Sequence, residues 1–215
     1  MDTTRLEATA GMVLVLAGLT MATASLTSAG EAQSWDVADA FAADSVRGIR
    51  RVGMFLAALG LASLVAAAPV LMAVTSGTKG FGWTVFGWGC FALGATLFSL
   101  VLGVTSIVMP ALGELAEAGT VSPQAIADRL TRQAPIMAAF LGGNLTFLSW
   151  IPIGLGLGRS GVLPSWLGWF VAAAAVATWL GFLHVPVFQR LAGPLWPLAV
   201  ALVGVFVVRL ASGAA

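Results

Sequence analysis

The charged residues of this 215-residue chain leave six long intervals almost free of charge, and these intervals limit what the chain can fold into. A transmembrane helix needs about 20 consecutive, mostly apolar residues, and each interval has roughly that length. The sequence therefore predicts an all-α polytopic membrane bundle, a single domain over residues 1–215. The predicted spans are Ala8–Leu26, Val52–Val74, Trp83–Val108, Pro135–Leu157, Trp166–Val185 and Leu191–Leu210, and Arg209 is their only charged member.

Composition supports the same conclusion. Hydrophobic residues make up 59% of the chain and charged residues 9%, whereas soluble domains carry about 25% charged residues. A surface with so little charge is suited to lipid rather than water, so membrane lipid is the first expected partner. The net charge of +1 provides no basic field, and we expect no nucleic-acid partner.

The first interval has a second interpretation, since it ends in small residues like those of a signal-peptide cleavage site. Its amino-terminal flank carries Asp2 and Glu7 against Arg5, which is not the positive flank of a signal peptide. The apolar stretch is also longer than a usual signal-peptide core. We therefore interpret it as the first transmembrane helix.

Two predicted connections are longer than a turn. In the first, 29–51, apolar residues recur on one helical stripe and predict an amphipathic helix at the membrane interface. The members of that stripe are Trp35, Ala38, Phe41, Ala42, Val46 and Ile49. The second connection, 110–134, contains Ser122 and Pro123, which suit the start of a short helix.

The positive charges of the connections leave the orientation open. If the amino terminus is cytoplasmic, four Lys and Arg residues lie inside and six outside, mildly against the positive-inside rule. The inner set would be Arg5, Lys79, Arg159 and Arg209; the outer set would be Arg47, Arg50, Arg51, Arg129, Arg132 and Arg190. An even number of spans places both termini on one side.

Tryptophans and small residues predict how the helices sit and pack. Four tryptophans near the ends of the intervals predict an aromatic belt at the interfaces: Trp35, Trp83, Trp166 and Trp196. Small residues spaced four apart predict close helix contacts on two spans. These stripes are Ala58, Ala62 and Ala66 on the second span, and Ala173, Ala177 and Gly181 on the fifth.

The intervals lack the residues that most membrane chemistry requires. They contain no Asp, Glu or Lys, which counts against proton pumps, ion-coupled transporters and voltage sensors. The single cysteine, Cys90, excludes a disulfide within the chain and any multi-thiolate metal site. We expect no metal, no catalytic residues and no enzymatic activity.

Two features remain as candidate sites. The fourth span has a polar centre at Asn144, Thr146 and Ser149; Asn144 either joins neighbouring helices or lines a substrate path together with Ser149 and Thr105. If it joins helices, Ser99, Thr105 and Ser106 on the third span are its expected partners. His184, the only histidine, is either an interfacial side chain or the single ligand of a pigment or haem. We expect no cofactor.

One segment is similar to a known family. Residues 150–168 read WIPIGLGLGRSGVLPSWLG and resemble the bacterial six-helix membrane family called domain of unknown function 4386. In that family a Pro-x-Gly helix end leads into a basic-Ser-Gly-x-Leu-Pro turn, as from Pro152 to Pro164 here. Gly11, Arg51 and Gly53 extend the likeness along the chain. The resemblance implies a six-helix bundle and implies no activity.

These observations predict a multi-pass protein of the inner, cytoplasmic membrane without enzymatic activity. It would act as an accessory subunit beside other membrane subunits, or as an interaction or structural bundle. The alternatives are a carrier or permease for an apolar or uncharged small solute, and single-site pigment or haem binding through His184.

Overall fold

The computed structural model describes residues 3–28, 44–120, 122, 134–183, 185, 188 and 193–213. This part of the chain is helical and contains no strand, so the all-α prediction is confirmed. Its helices are α1 (Thr3–Ser28), α2 (Asp44–Thr75), α3 (Phe81–Glu117), α4 (Ala134–Leu148), α5 (Trp150–Ser160), α6 (Ser165–Phe182) and α7 (Leu195–Ala211).

Four stretches of this helical framework are long and apolar enough to cross a membrane. They are Thr4–Ser25, Phe55–Thr75, Phe81–Leu100 and Phe140–Ser160, the last of which joins α4 and α5. Two shorter apolar helices follow, over Ser165–Gly181 and Leu195–Ala211. The membrane class is thus confirmed by length and composition.

The second helix begins earlier than predicted. Residues 44–51 form its first turns without a break before the apolar part, so this piece of the first connection is not a separate helix. An α-helix continues wherever its backbone bonds remain favourable, whether or not the side chains are charged. The rest of the predicted amphipathic helix, residues 29–43, and the stripe residues Trp35, Ala38, Phe41 and Ala42 lie outside the described residues.

The third helix ends later than predicted, because it continues through Pro110 to Glu117. A membrane helix tolerates proline where its surroundings satisfy the freed carbonyl group. The helix ends where Gly119 adopts a left-handed φ of 69° and the amide of Thr120 donates to the carbonyl oxygen of Leu115 at 2.9 Å. This pattern is a Schellman C-cap, for which glycine is favoured.

The predicted fourth span comprises α4 and α5, which meet at Ser149. The amide of Ser149 donates to Leu145 O at 3.1 Å, and the amide of Ile153 donates to Ser149 O at 3.3 Å. Pro152 has no backbone N–H, so the carbonyl group of Leu148 lacks its usual helical donor. The backbone nevertheless stays helical at Ser149, with φ −63° and ψ −22°, so α4 and α5 follow one another as one membrane-length unit.

The helices close into a ring that follows the order of the chain. α1 packs against α2 and α7; α2 packs against α3; α3 packs against α4 and α5. α6 completes the circuit by packing against α4, α5 and α7. The side chains that point toward the axis of this ring form one continuous core.

Glycines, rather than the predicted alanine stripes, bring the helices together. A Cβ placed on Gly154 of α5 would lie 2.5 Å from the carbonyl oxygen of Gly168 on α6, and one placed on Gly11 of α1 would lie 2.9 Å from Gly204 O on α7. Backbones that approach this closely leave no space for a methyl group. Of the predicted stripes, Ala62, Ala66 and Ala173 are exposed and form no such contact within the chain, whereas Ala58, Ala177 and Gly181 are half-buried.

The predicted aromatic belt is correct in part. Trp83 and Trp166 are exposed near helix ends, as a belt requires. Trp196 instead lies in the core with 1% of its surface exposed, so its assignment to the belt is wrong. Its position in the first turn of α7 set its height along the helix, but the packing of α7 turns its side chain inward. Trp35 lies outside the described residues.

Candidate functional site

Three tryptophans from three helices meet on the axis of the ring. We call Trp88 of α3, Trp150 of α5 and Trp196 of α7 the tryptophan centre; each is at most 2% exposed. The ring centroids of Trp88 and Trp150 are 5.4 Å apart, and those of Trp150 and Trp196 are 5.5 Å apart. Edge-to-face arrangements at such distances are favourable for aromatic rings. Phe91 and Phe147 extend the cluster.

Helix geometry places this centre deep in the bundle. Trp150 precedes the exposed Arg159 by nine residues on the same helix, which is about 13 Å at the helical rise. Trp196 precedes the exposed Arg209 by thirteen residues, or about 20 Å. Trp150 is the eleventh residue of the 21-residue unit Phe140–Ser160, so this member of the centre lies near the middle of a membrane-length helix.

The polar atoms of the tryptophan centre have no hydrogen-bond partner. Among the described residues, four buried side-chain polar atoms lack one: Trp88 Nε1, Trp150 Nε1, Trp196 Nε1 and Thr146 Oγ1. Leaving such a group unpaired costs about 1–3 kcal/mol. Native proteins keep few unpaired buried polar groups, and three of these four belong to the packed rings of the tryptophan centre.

Thr146 differs from the other threonines in this respect. Several threonines donate to the carbonyl oxygen four residues earlier: Thr9, Thr23, Thr75, Thr84 and Thr96. The hydroxyl of Thr146 does not, although its residue is fully buried. Because Thr146 precedes Trp150 by four residues, the two side chains lie on one face of α4 and α5. The hydroxyl thus belongs to the same group of unpaired atoms.

Asn144, the predicted polar residue of the fourth span, forms hydrogen bonds through both its side-chain oxygen and its side-chain nitrogen. Its Oδ1 accepts a hydrogen bond from Trp179 Nε1 on α6 at 2.7 Å, and its Nδ2 donates to Phe140 O at 2.7 Å. Asn144 therefore joins two helices, one of the two roles predicted for it. This partner, Trp179, lies on α6, which packs against α4; of the expected partners on the third span, the side chains of Thr105 and Ser106 lie outside the described part of the structure.

Ser149 of the predicted substrate path makes its hydrogen bond away from Asn144. Ser149 is buried, and its hydroxyl donates to Thr146 O at 3.0 Å beside the tryptophan centre. Asn144 is only half-buried, at the contact between α4 and α6. The side chain of Thr105 lies outside the described part of the structure. A path along Asn144, Ser149 and Thr105 stays a prediction.

His184, the candidate pigment or haem ligand, also lies outside the described residues. Within the described parts of the chain, no three His, Cys, Asp or Glu side chains come close enough to hold a metal ion. Cys90 is half-buried on α3.

One end of the bundle carries the cations expected at a headgroup layer. The guanidinium carbon of Arg159 lies 5.6 Å from the centroid of the Trp83 ring, and that of Arg209 lies 5.9 Å from the Phe206 ring. Exposed cation–π contacts of this kind contribute about 0.5–1 kcal/mol. Both arginines are exposed near the end of an apolar helix, a position from which a long cationic side chain can reach lipid headgroups.

The tryptophan centre was not predicted from the sequence. The sequence places Trp196 in the membrane belt, because tryptophan usually marks a membrane interface, and it assigns no role to Trp88 and Trp150. A usable signal did exist, since Trp88 and Trp150 lie well inside their apolar intervals, and Thr146 and Trp150 share the four-residue spacing of one helix face.

Removing the indole donor of Trp179 tests the contact between α4 and α6. We expect Trp179→Phe to lower the free energy of unfolding by about 1 kcal/mol, because Asn144 Oδ1 loses its partner from another helix. Trp169→Phe is the matched control, since Trp169 lies on the same helix and is 60% exposed. Unfolding by sodium dodecyl sulfate in mixed micelles measures both changes, and equal losses would contradict the role given to Asn144.

Comparison with known proteins adds no assignment. No family model matches the chain, and no curated protein or solved structure matches it. The resemblance of residues 150–168 to the six-helix family therefore stays a prediction. The fold and site of this chain rest on its own residues.

Proposed function

We propose that the chain crosses the inner membrane six times and acts without catalysis. In this role it is an accessory subunit of a larger membrane complex, or a stand-alone bundle that interacts with lipid and partner proteins. The observation that carries the proposal is the closed ring with its centre filled by aromatic side chains. This arrangement also agrees with the bacterial six-helix family that residues 150–168 resemble.

The packing of α6 supports a fifth crossing. Near one end, a Cβ on Gly158 of α5 would lie 3.1 Å from Ser165 O at the start of α6. Toward the other end, Trp179 of α6 bonds to Asn144 of α4. The helix thus runs alongside most of the membrane-length unit Phe140–Ser160. A helix that follows a spanning unit over this length lies at the same depth in the bilayer.

The packing of α7 supports a sixth crossing in the same way. A Cβ on Gly204 would lie 2.6 Å from Gly11 O, and a Cβ on Gly18 would lie 2.5 Å from Pro197 O. α7 therefore runs antiparallel along the spanning stretch Thr4–Ser25. Its 17 residues extend about 26 Å and lie at the lower limit for a transmembrane helix.

The outer surface of the ring is suited to lipid or to an apolar partner. Large apolar side chains remain exposed there on several helices: Leu16, Phe55, Phe86, Leu100, Phe140 and Trp169. In water such a surface would be unfavourable, whereas in a bilayer it costs nothing and gives partner helices a surface to pack against. Membrane lipid and other membrane subunits are the partners that this surface favours.

Native mass spectrometry of the protein released from mild detergent tests the proposed role. We expect a mass above the 21.9 kDa of the chain, owing to retained lipid or a bound partner chain. A protein that always appears alone at its own mass would contradict the proposal. Liposomes containing the protein provide a second measurement, because an uptake of glycerol faster than in protein-free liposomes would favour the carrier alternative.

A further inference from the structure

Two cations lie close together at one end of the bundle. Lys79 belongs to the turn 76–80 between α2 and α3, and Arg159 lies in the last turn of α5. This turn packs against the end of α5, since a Cβ placed on Gly80 would lie 3.1 Å from the amide nitrogen of Ser160. Lys79 and Arg159 directly precede these two residues, so their Cα atoms lie within about 11 Å of each other.

The backbone that carries each cation is held by a side-chain hydroxyl. The hydroxyl of Thr78 donates to the carbonyl oxygen three residues earlier at 2.6 Å and accepts from the amide two residues later at 3.2 Å. The hydroxyl of Ser160 makes the same pair of bonds, at 2.7 Å and 3.2 Å. Lys79 and Arg159 therefore extend from ordered turns, and a ligand bound between them costs little backbone entropy.

The side chain of Arg159 is positioned as well. Its guanidinium carbon lies 5.6 Å from the centroid of the Trp83 ring, and both side chains are exposed. A guanidinium group stacked on an aromatic ring keeps the N–H groups of its edge available for an oxygen ligand. Among the described residues, neither Lys79 nor Arg159 has an ion-pair partner.

The surroundings of this pair carry no carboxylate. Asp and Glu are absent from residues 45–113 and 129–215, which include the turn, the start of α3, the end of α5 and the start of α6. At this end of the bundle the described acidic side chain is Glu7, and it lies on α1, which packs against α2 and α7. The two positive charges are therefore left to be balanced by an anion from outside the chain.

The height of the pair along the helices identifies the source of that anion. Lys79 lies two residues before the spanning stretch Phe81–Leu100. Arg159 is the second-last residue of the spanning stretch Phe140–Ser160. Both cations therefore lie where the apolar core of a bilayer meets the headgroup layer, which contains the lipid phosphates. Phe86 of α3, which is 64% exposed, provides an apolar surface for acyl chains on the membrane side of the pair.

We propose that Lys79, Arg159 and Trp83 form a binding site for the headgroup of an anionic phospholipid. The guanidinium group of Arg159 binds the phosphate through two N–H groups, Lys79 adds a second positive charge, and Trp83 holds Arg159 in place. The two cations favour a headgroup with a net negative charge, such as phosphatidylglycerol, over zwitterionic phosphatidylethanolamine. This site rests on the proposed interaction with lipid and names the class of lipid that is bound.

Native mass spectrometry of the full chain with added lipids tests this site. The protein in mild detergent is titrated with phosphatidylglycerol or with phosphatidylethanolamine of the same acyl chains, and the adduct peaks give the dissociation constant of the first lipid. We expect the parent to bind phosphatidylglycerol more tightly. Lys79→Gln and Arg159→Gln should each weaken this binding about 5-fold, the effect of one cation beside an anionic headgroup, and leave phosphatidylethanolamine unchanged. Arg159→Lys, which keeps the charge, should lose less than Arg159→Gln.

Arg209→Gln is the matched control. Arg209 is also exposed over an aromatic ring at this end of the bundle, but it lies on α7, which packs against α1 and not beside the turn 76–80. We expect this variant to keep the preference of the parent. An equal loss in Arg209→Gln and Arg159→Gln, or displacement of the lipid by excess inorganic phosphate, would overturn the site. Equal binding of the two lipids would overturn it and leave the proposed lipid interaction intact, whereas a chain that retains neither lipid contradicts both.

Discussion

Replacing Trp150 with alanine is expected to lower the free energy of unfolding by about 3–5 kcal/mol, the usual cost of removing a large buried aromatic side chain. Trp150 is fully buried and lies against Trp88, Phe91 and Trp196. Its loss would open a cavity on the axis of the ring, where three helices meet. Denaturation by sodium dodecyl sulfate in mixed micelles, followed by circular dichroism, measures the change.

Trp169→Ala is the matched control for this substitution. Trp169 is also a tryptophan on an apolar helix, but 60% of its surface is exposed on the outside of α6. We expect its removal to change the free energy of unfolding by less than about 1 kcal/mol, since little buried surface is lost. If the two variants lose similar stability, the core does not lie where the structure places it.

The second large effect is expected at the contact between α5 and α6. In Gly154→Val the new Cβ would lie 2.5 Å from Gly168 O and 2.8 Å from the amide nitrogen of Ala172. Both neighbours are backbone atoms, so a side chain cannot rotate away and the helices must separate. We expect a loss of about 1–3 kcal/mol or misfolding, as for other overpacked contacts. The thermal unfolding temperature in detergent measures the change.

Gly89→Val is the control that separates a steric effect from a general effect of glycine replacement. Gly89 lies within α3 and is exposed, and a Cβ at this position meets nothing within 4 Å. Valine has a higher helix propensity than glycine, so we expect this variant to be at least as stable as the parent. An equally damaging Gly89→Val would show that glycine matters here for a reason other than close packing.

The sequence predicted the helices better than their ends. Charge-free intervals locate apolar helices because a buried charge in lipid is unfavourable. Charge, however, does not define where a helix begins or stops. α2 includes the charged residues from Asp44 onward, and α3 passes Pro110 to reach Gly119. Helix ends depend on backbone capping, which the hydropathy pattern does not contain.

The direction in which each helix face points was harder to predict than its position. Alanines and glycines both allow close contact between membrane helices, so the stripe containing Ala62 and Ala66 was a reasonable candidate. The structure places these alanines outside and uses Gly60 to approach Met21 on α1. Which of two small-residue faces turns inward depends on all the neighbouring helices together, and a single helix does not carry that information.

The tryptophan centre shows the same limit for the candidate site. Trp196 and Trp166 both lie near the start of an apolar interval, yet the first is buried and the second exposed. Which of the two tryptophans is buried depends on how the seven described helices are arranged. Trp196 is buried because α7 packs it against Trp150 of α5. Asn144 was correctly recognised as a residue that needs a partner, but its partner Trp179 depends on the packing of α6 against α4.

The number of membrane crossings is the central claim, and cysteine labelling in intact membranes tests it most directly. Cys90 is replaced by alanine, and single cysteines are introduced at Ser122, Ser165, Gly193 and Ser212. Six crossings predict that an impermeant maleimide reaches Ser122 and Gly193 from one face of the membrane, and Ser165 and Ser212 from the other. If Gly193 is instead labelled from the same face as Ser165 and Ser212, α6 and α7 do not cross the membrane and the six-span account is wrong.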